Sequence, residues 1–230
     1  MSDCTLDLLK NRRFLPLFVT QFLGAFNDNL FKNALVMLIL FRLAVDDTAL
    51  GIGGDVLVAV AGGLFILPFF LFSATAGQLA DKYDKARMIR WVKAMEVAVM
   101  ALAATGFAWG RVDFLLAVLF LMGAQSTFFG PLKYGILPQH LTTRELVGGN
   151  ALIEAATFLA ILLGTIAGGL LVLAEGGVVV ISAMVVVVAL LGWAASLRIP
   201  PAPATAPLLP VSWNFPAETR EILKHAMRRR

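Results

Sequence analysis

Six stretches of this chain are each long and apolar enough to cross a lipid bilayer, and that limits its fold more than any other feature. They cover residues 14–43, 56–79, 88–108, 114–137, 147–173 and 178–197. A spanning helix needs about 20 mainly apolar residues. In hydrocarbon the backbone must pair within its own segment or within a closed barrel. A barrel requires short alternating segments, and the sequence has none of that pattern. The sixth stretch is rich in valine (Val178 to Val180, Val185 to Val188), which in water would suggest a buried strand. Its length and lack of charge favour a membrane helix. Composition agrees: the chain is 59% hydrophobic and 15% charged, too little charge to cover a soluble domain. The expectation is an all-α membrane protein, a six-transmembrane-helix bundle over residues 1–197.

The net charge of +4 does not point to nucleic acid, because the basic residues lie between the apolar runs instead of forming a face. They set an orientation instead. Lys10, Arg12 and Arg13 precede the first stretch. Lys82, Lys85, Arg87 and Arg90 lie between the second and third. Arg144, with Lys133 nearby, follows the fourth, and Arg198, Arg220, Lys224 and Arg228 to Arg230 follow the sixth. The alternate connections hold Asp46, Asp47, Asp55, Asp113 and Glu175, with Arg42 and Arg111 as their basic residues. The positive-inside rule then puts both termini in the cytoplasm. The basic start followed by an apolar run resembles a signal peptide. However, the run is too long and lacks a small-x-small cleavage site, so it reads as a retained helix. Residues 198–230 form a separate cytoplasmic segment. The Pro/Ala-rich part at 198–214 reads as a linker, and Pro216 opens a short helical pattern whose acids come early and bases late. A solvated connector and a lipid-surface helix are the two readings of that pattern.

Polar residues inside the apolar stretches mark the candidate site. Gln21, Asn27, Asp28, Asn29, Lys32 and Asn33 cluster near the middle of the first. An Asp or Lys at the bilayer centre costs roughly 2.5–3.5 kcal/mol on insertion scales. Asp28 and Lys32 are spaced i, i+4 and can pair on one face, with Gln21 seven residues earlier on that face. Six polar residues exceed what one ion pair needs, so the stripe is read as lining a substrate or ion pathway. Glu154 in the fifth stretch is either a gate contact or an interfacial carboxylate. Glu96 follows Lys93 in the third, and an end-of-helix pair is the plainer reading.

Three further patterns bear on the bundle. Ala156, Ala160, Gly164 and Gly168 recur every four residues, a ridge that lets helix backbones approach closely. Gly130-Pro131-Leu132-Lys133-Tyr134-Gly135-Ile136-Leu137-Pro138 ends the fourth stretch; Pro131 is expected to kink it, with Lys133 and Tyr134 near the cytoplasmic interface. Gly24-Ala25-Phe26-Asn27-Asp28 is echoed by Gly123-Ala124-Gln125-Ser126-Thr127, the pattern a three-plus-three helix repeat gives, which adds Gln125 to the candidate pathway. Enzyme signatures are missing: there is no HExxH, Walker A or GxSxG motif, and Gly51, Gly53 and Gly54 form only a short loop. One cysteine, Cys4, and two isolated histidines, His140 and His225, predict no disulfide, metal or cofactor.

Gly77-Gln78-Leu79-Ala80-Asp81-Lys82-Tyr83-Asp84-Lys85-Ala86-Arg87 resembles the signature loop between helices two and three of the major facilitator superfamily, Gly-x-Leu-Ala-Asp-Arg-x-Gly-Arg-Arg/Lys. Asp84 stands in place of its second glycine and Ala86 in place of its last basic residue. The resemblance assigns a cytoplasmic conformational latch to Asp81, and with it to Gly77, Lys82, Lys85 and Arg87. The run from Gln21 to Asn33, the run from Gly130 to Pro138, and Asn150-Ala151-Leu152-Ile153-Glu154 are similar to the bacterial lysophospholipid transporter branch. That resemblance covers nearly all of residues 10–230. It implies inward movement of lysophospholipids such as lysophosphatidylethanolamine across the inner membrane, with membrane lipids as surroundings and, in some members, fused acyltransferase and acyl-activating domains. The superfamily has about twelve helices in two halves. This chain is therefore expected to be the N-terminal half, with the C-terminal six helices supplied elsewhere in the protein or by a partner chain. A small-molecule exporter of the same superfamily and a non-transporting anchor for acyltransferase domains are the alternatives.

Overall fold

The computed structural model of the protein describes residues 6–43 and 53–211. Cys4, Asp46, Asp47, His225 and the helical pattern opened by Pro216 lie outside them. Among the described residues there are six long helices: α1 (Leu15–Leu38), α2 (Gly54–Lys82), α3 (Lys85–Trp109), α4 (Val112–His140), α5 (Thr143–Leu171) and α6 (Gly177–Ser196). A 3-10 turn, Asp7–Lys10, precedes α1, and a π turn, Ile39–Leu43, continues it. Five of the six, α2 to α6, are long and apolar enough to cross a membrane. The sixth expected span, α1, has 24 residues, about 36 Å at 1.5 Å per residue. Its length suffices, but its polar cluster dilutes its apolar content.

Local chemistry sets the helix ends. Asp84 caps α3, its carboxylate accepting from the Arg87 backbone N–H at 2.8 Å. Gly110 closes α3 in the left-handed conformation at φ 64°, which glycine adopts without a Cβ penalty. Thr142 and Glu145 form a reciprocal capping box at the start of α5. The expected end of α4 moves: Gly130 to Pro138 lie inside the helix, which runs unbroken to His140. Each proline removes one backbone donor, and the neighbouring helices hold the segment helical nonetheless.

Packing follows the small residues. α1 lies along α5 and α6, α4 lies along α2 and α3, and α3 packs on α6. The ridge of α5 makes the first contact possible. A Cβ at Gly164 would sit 2.5 Å from the Phe26 carbonyl oxygen, and one at Gly168 2.4 Å from that of Leu30. Gly123 plays the same part for α4, where a Cβ would lie 2.3 Å from the Phe65 carbonyl oxygen of α2. All three neighbours are backbone atoms, which leaves no room for any side chain.

Two apolar clusters form the core. One holds Leu30, Val99, Leu119, Met122 and Val185; the other holds Leu17, Val92, Phe129 and Ile136. Along α1, α3 and α4 the change from one cluster to the other falls at Gln21–Asp28, Lys93–Glu96 and Gln125–Ser126. The fold therefore carries a layer of polar side chains between two apolar layers, and this layer is the candidate site.

Residues 198–211 are not a free connector. Ile199 and Ala202 are buried. The Arg90 guanidinium donates to the Ile199 carbonyl at 2.9 Å. The Ala202 N–H donates to the Asp84 carboxylate at 3.0 Å, and the Ala206 N–H to the Asp81 carbonyl at 2.8 Å. The segment is strapped across the α2–α3 loop.

Candidate functional site: a buried polar layer and its cavity

The layer is built around a fully buried ion pair. Lys93 Nζ and Glu96 Oε2, one turn apart on α3, stand 2.5 Å apart, with side chains 1% and 2% exposed. An isolated charge in such surroundings costs several kcal/mol, so each needs the other and further hydrogen bonds. Asn27 Nδ2 of α1 donates to Glu96 Oε1 at 3.3 Å and to the Val185 carbonyl of α6 at 3.1 Å. Gln125 Nε2 of α4 donates to Glu96 Oε2 and to the Val92 carbonyl, both at 3.4 Å. The Lys93 ammonium also stands 4.9 Å from the Phe129 ring centroid. Gly24 makes room for it: a Cβ there would lie 2.2 Å from Lys93 Nζ. One node thus joins α1, α3, α4 and α6.

Beside this node is a cavity of about 200 Å³, lined by Gln21, Gly24, Ala25, Asp28, Phe69, Lys93, Glu96, Gln125, Ser126, Phe129, Gly130 and Lys133. Asp28 accepts a hydrogen bond from the Ser126 hydroxyl at 2.6 Å through Oδ2. Its other oxygen, Oδ1, is buried without a hydrogen-bond partner among the described residues. Native proteins rarely leave such an atom unpaired away from a functional surface. The cavity therefore offers carboxylates (Asp28, Glu96), ammonium groups (Lys93, Lys133), amides and two phenyl rings. That set can bind a ligand bearing both charge signs.

The structure redistributes the expected stripe. Asp28 and Lys32 form no ion pair; Lys32 Nζ lies 5.3 Å from the Phe65 ring centroid. Gln21 lines the cavity but donates from Nε2 to Thr157 of α5 at 2.7 Å. Asn29 and Asn33 turn away to the α5 side: Asn29 bonds back to the Ala25 carbonyl, and Asn33 reaches Thr165 at 3.1 Å. Glu154 is a hydrogen-bond acceptor for the Tyr134 hydroxyl and lies 3.9 Å from Lys133 Nζ. This links α4 to α5 at the mouth of the layer. Pro131 lies next to the cavity-lining Gly130. Lys93 and Ser126 are site residues outside the expected set, and Glu96 is a buried partner instead of an end-of-helix charge. The i, i+3 spacing of Lys93 and Glu96 was the available signal. The helix begins at Lys85, however, so the pair lies two turns deeper than an end-of-helix reading assumes.

Two of the latch candidates, Asp81 and Lys85, meet the strap at Thr205. Asp81 Oδ1 accepts from the Thr205 hydroxyl at 3.0 Å, and the buried Lys85 ammonium donates to the same hydroxyl oxygen at 3.1 Å. Lys82 lies beside the Tyr83 ring, 5.9 Å from its centroid. The side chain of Arg87 is exposed, and Gly77 faces open space. Asp84, which departs from the signature pattern, both caps α3 and holds Ala202.

The sequence profile of the Major Facilitator Superfamily matches residues 17–230. The chain is 32% identical over 212 residues to the lysophospholipid transporter LplT of Serratia proteamaculans, covering 92% of this chain and 48% of that protein. It is 32% identical over 210 residues to the lysophospholipid transporter LplT of Salmonella newport, covering 91% and 48%. The chain thus spans about half the length of the curated relatives it matches. With its apolar helices, its signature loop and a profile match over most of its length, the chain belongs to the Major Facilitator Superfamily.

Proposed function

We propose that this chain is the N-terminal six-helix half of a secondary transporter that moves lysophospholipids inward across a bacterial inner membrane by alternating access. The observation that carries the reading is the unpaired Asp28 Oδ1 at a cavity holding both charge signs. A zwitterionic headgroup offers an ammonium to Asp28 and a phosphate to Lys133, while the acyl chain stays against apolar helix faces. An anchor for soluble domains has no use for such a cavity. The C-terminal half is the proposed second wall of the pathway, and the Asp81 loop its latch. The helix contacts also support a three-plus-three repeat. Exchanging α1–α3 with α4–α6 carries the α1·α5 contact onto α4·α2, α1·α6 onto α4·α3, and α3·α6 onto itself. The test is uptake of labelled lysophosphatidylethanolamine into spheroplasts expressing the complete transporter with this half. Uptake above empty membranes is expected. Drug resistance without lipid uptake would identify an exporter instead.

Orientation has its own check. Both positions to be tested are exposed: Arg111 at the α3–α4 connection and Tyr83 at the α2–α3 loop. In a Cys4→Ser background, a membrane-impermeant maleimide should label Arg111→Cys in intact cells and Tyr83→Cys only after permeabilisation. The reverse result would invert the topology and remove the latch from the cytoplasm.

A further inference from the structure

A second cavity, of about 530 Å³, lies between the residues before α1 and those after α6. It is lined by Lys10, Arg12, Leu15, Pro16 and Arg198 and shares no residue with the α1–α4 cavity. Three of the five lining residues are cations and none is a carboxylate. Lys10 is shared with Asp7 at 2.9 Å. Neighbouring Arg13 is committed to Glu145, donating to both of its oxygens at 2.8 and 3.1 Å. The Arg12 and Arg198 side chains have no hydrogen-bond or ion-pair partner among the described residues. Both walls are nevertheless held by fixed backbone. Phe14 is buried and the 11–15 turn is hydrogen-bonded to itself. Arg198 and Ile199 bond back to the last turn of α6, where Arg90 pins Ile199. A guanidinium presents a planar fork that matches phosphate oxygens. Two uncommitted forks above an apolar floor of Leu15 and Pro16 suit a phosphate ester attached to an apolar tail.

We propose that this groove binds the phosphate of an anionic membrane phospholipid, held as a resident lipid and not as cargo. The inference rests on the membrane-spanning reading and not on transport, so either can fail without the other. Each fork contributes charge-assisted hydrogen bonds, and their loss together should weaken binding about tenfold. The test uses the purified chain in phosphatidylcholine nanodiscs with added phosphatidylglycerol, with bound phosphatidylglycerol counted by native mass spectrometry. The Arg12→Gln/Arg198→Gln variant should lose phosphatidylglycerol. The charge-matched Arg87→Gln/Arg144→Gln variant should keep it, since those exposed side chains lie outside the groove. Both side chains to be changed are exposed and unpaired, and an unchanged circular-dichroism melt will verify that the fold is intact. Equal loss in both variants would show diffuse attraction and overturn the site. Displacement of the lipid by millimolar inorganic phosphate would show a free-anion site and overturn the lipid assignment.

Discussion

Replacing Asp28 with asparagine in the complete transporter should lower lysophosphatidylethanolamine uptake by about tenfold or more, since a hydrogen bond to a charged group contributes roughly 1.5–3 kcal/mol. Asparagine is nearly isosteric and can still accept from the Ser126 hydroxyl, so the α1–α4 contact survives. What disappears is the negative charge on the oxygen that lacks a protein partner. A ligand ammonium would then face a neutral amide. Uptake into spheroplasts is the measurement, normalised to the amount of transporter in the membrane. Wild-type uptake at equal abundance would remove Asp28 from the pathway and leave it a packing residue.

The second large effect concerns stability. Glu96→Gln leaves the Lys93 ammonium, 1% exposed, without its counter-charge. Breaking a buried pair from one side costs about 3–5 kcal/mol, whereas replacing both partners by apolar groups is often close to neutral. Lys93→Met with Glu96→Leu should therefore be more stable than Glu96→Gln alone, although Asn27 and Gln125 lose an acceptor. Unfolding of the purified chain by titrated denaturing detergent, followed by helical circular dichroism, gives the order. A double variant as unstable as the sum of both single variants would show that the two charges act independently, contrary to the 2.5 Å contact.

The polar layer also explains why a membrane protein tolerates these residues. Leu30 and Val99 on one side and Leu17 and Val92 on the other, all buried, pack above and below it. Within it, the amide nitrogens of Asn27 and Gln125 both donate to the Glu96 carboxylate, joining three helices. The same low dielectric that strengthens these contacts makes an unpaired atom costly. In this layer two atoms, Asp28 Oδ1 and Asn27 Oδ1, are left buried without a hydrogen-bond partner among the described residues, and of the two only Asp28 carries a carboxylate.

Much of the architecture was legible in the sequence. Hydrocarbon leaves the backbone few choices, so an apolar run of sufficient length predicts a helix and places its ends within a few residues. The ridge of Ala156, Ala160, Gly164 and Gly168 likewise announced a close helix contact, because only small residues at that spacing permit one. The polar residues of α1 announced contacts inside the protein, since lipid does not accept them. Partner choice was not legible. Asp28 and Lys32 have the spacing of an ion pair, yet Asp28 bonds Ser126 and Lys32 lies over Phe65. Spacing along one helix brings two side chains within reach of each other. Which partner each takes depends on what neighbouring helices present at the same depth, and that follows from their relative rotation and register. For the same reason Lys93 and Glu96 read as a helix-end pair, and residues 198–214 as a linker. Only the tertiary structure brought Asn27, Gln125 and the α2–α3 loop against them.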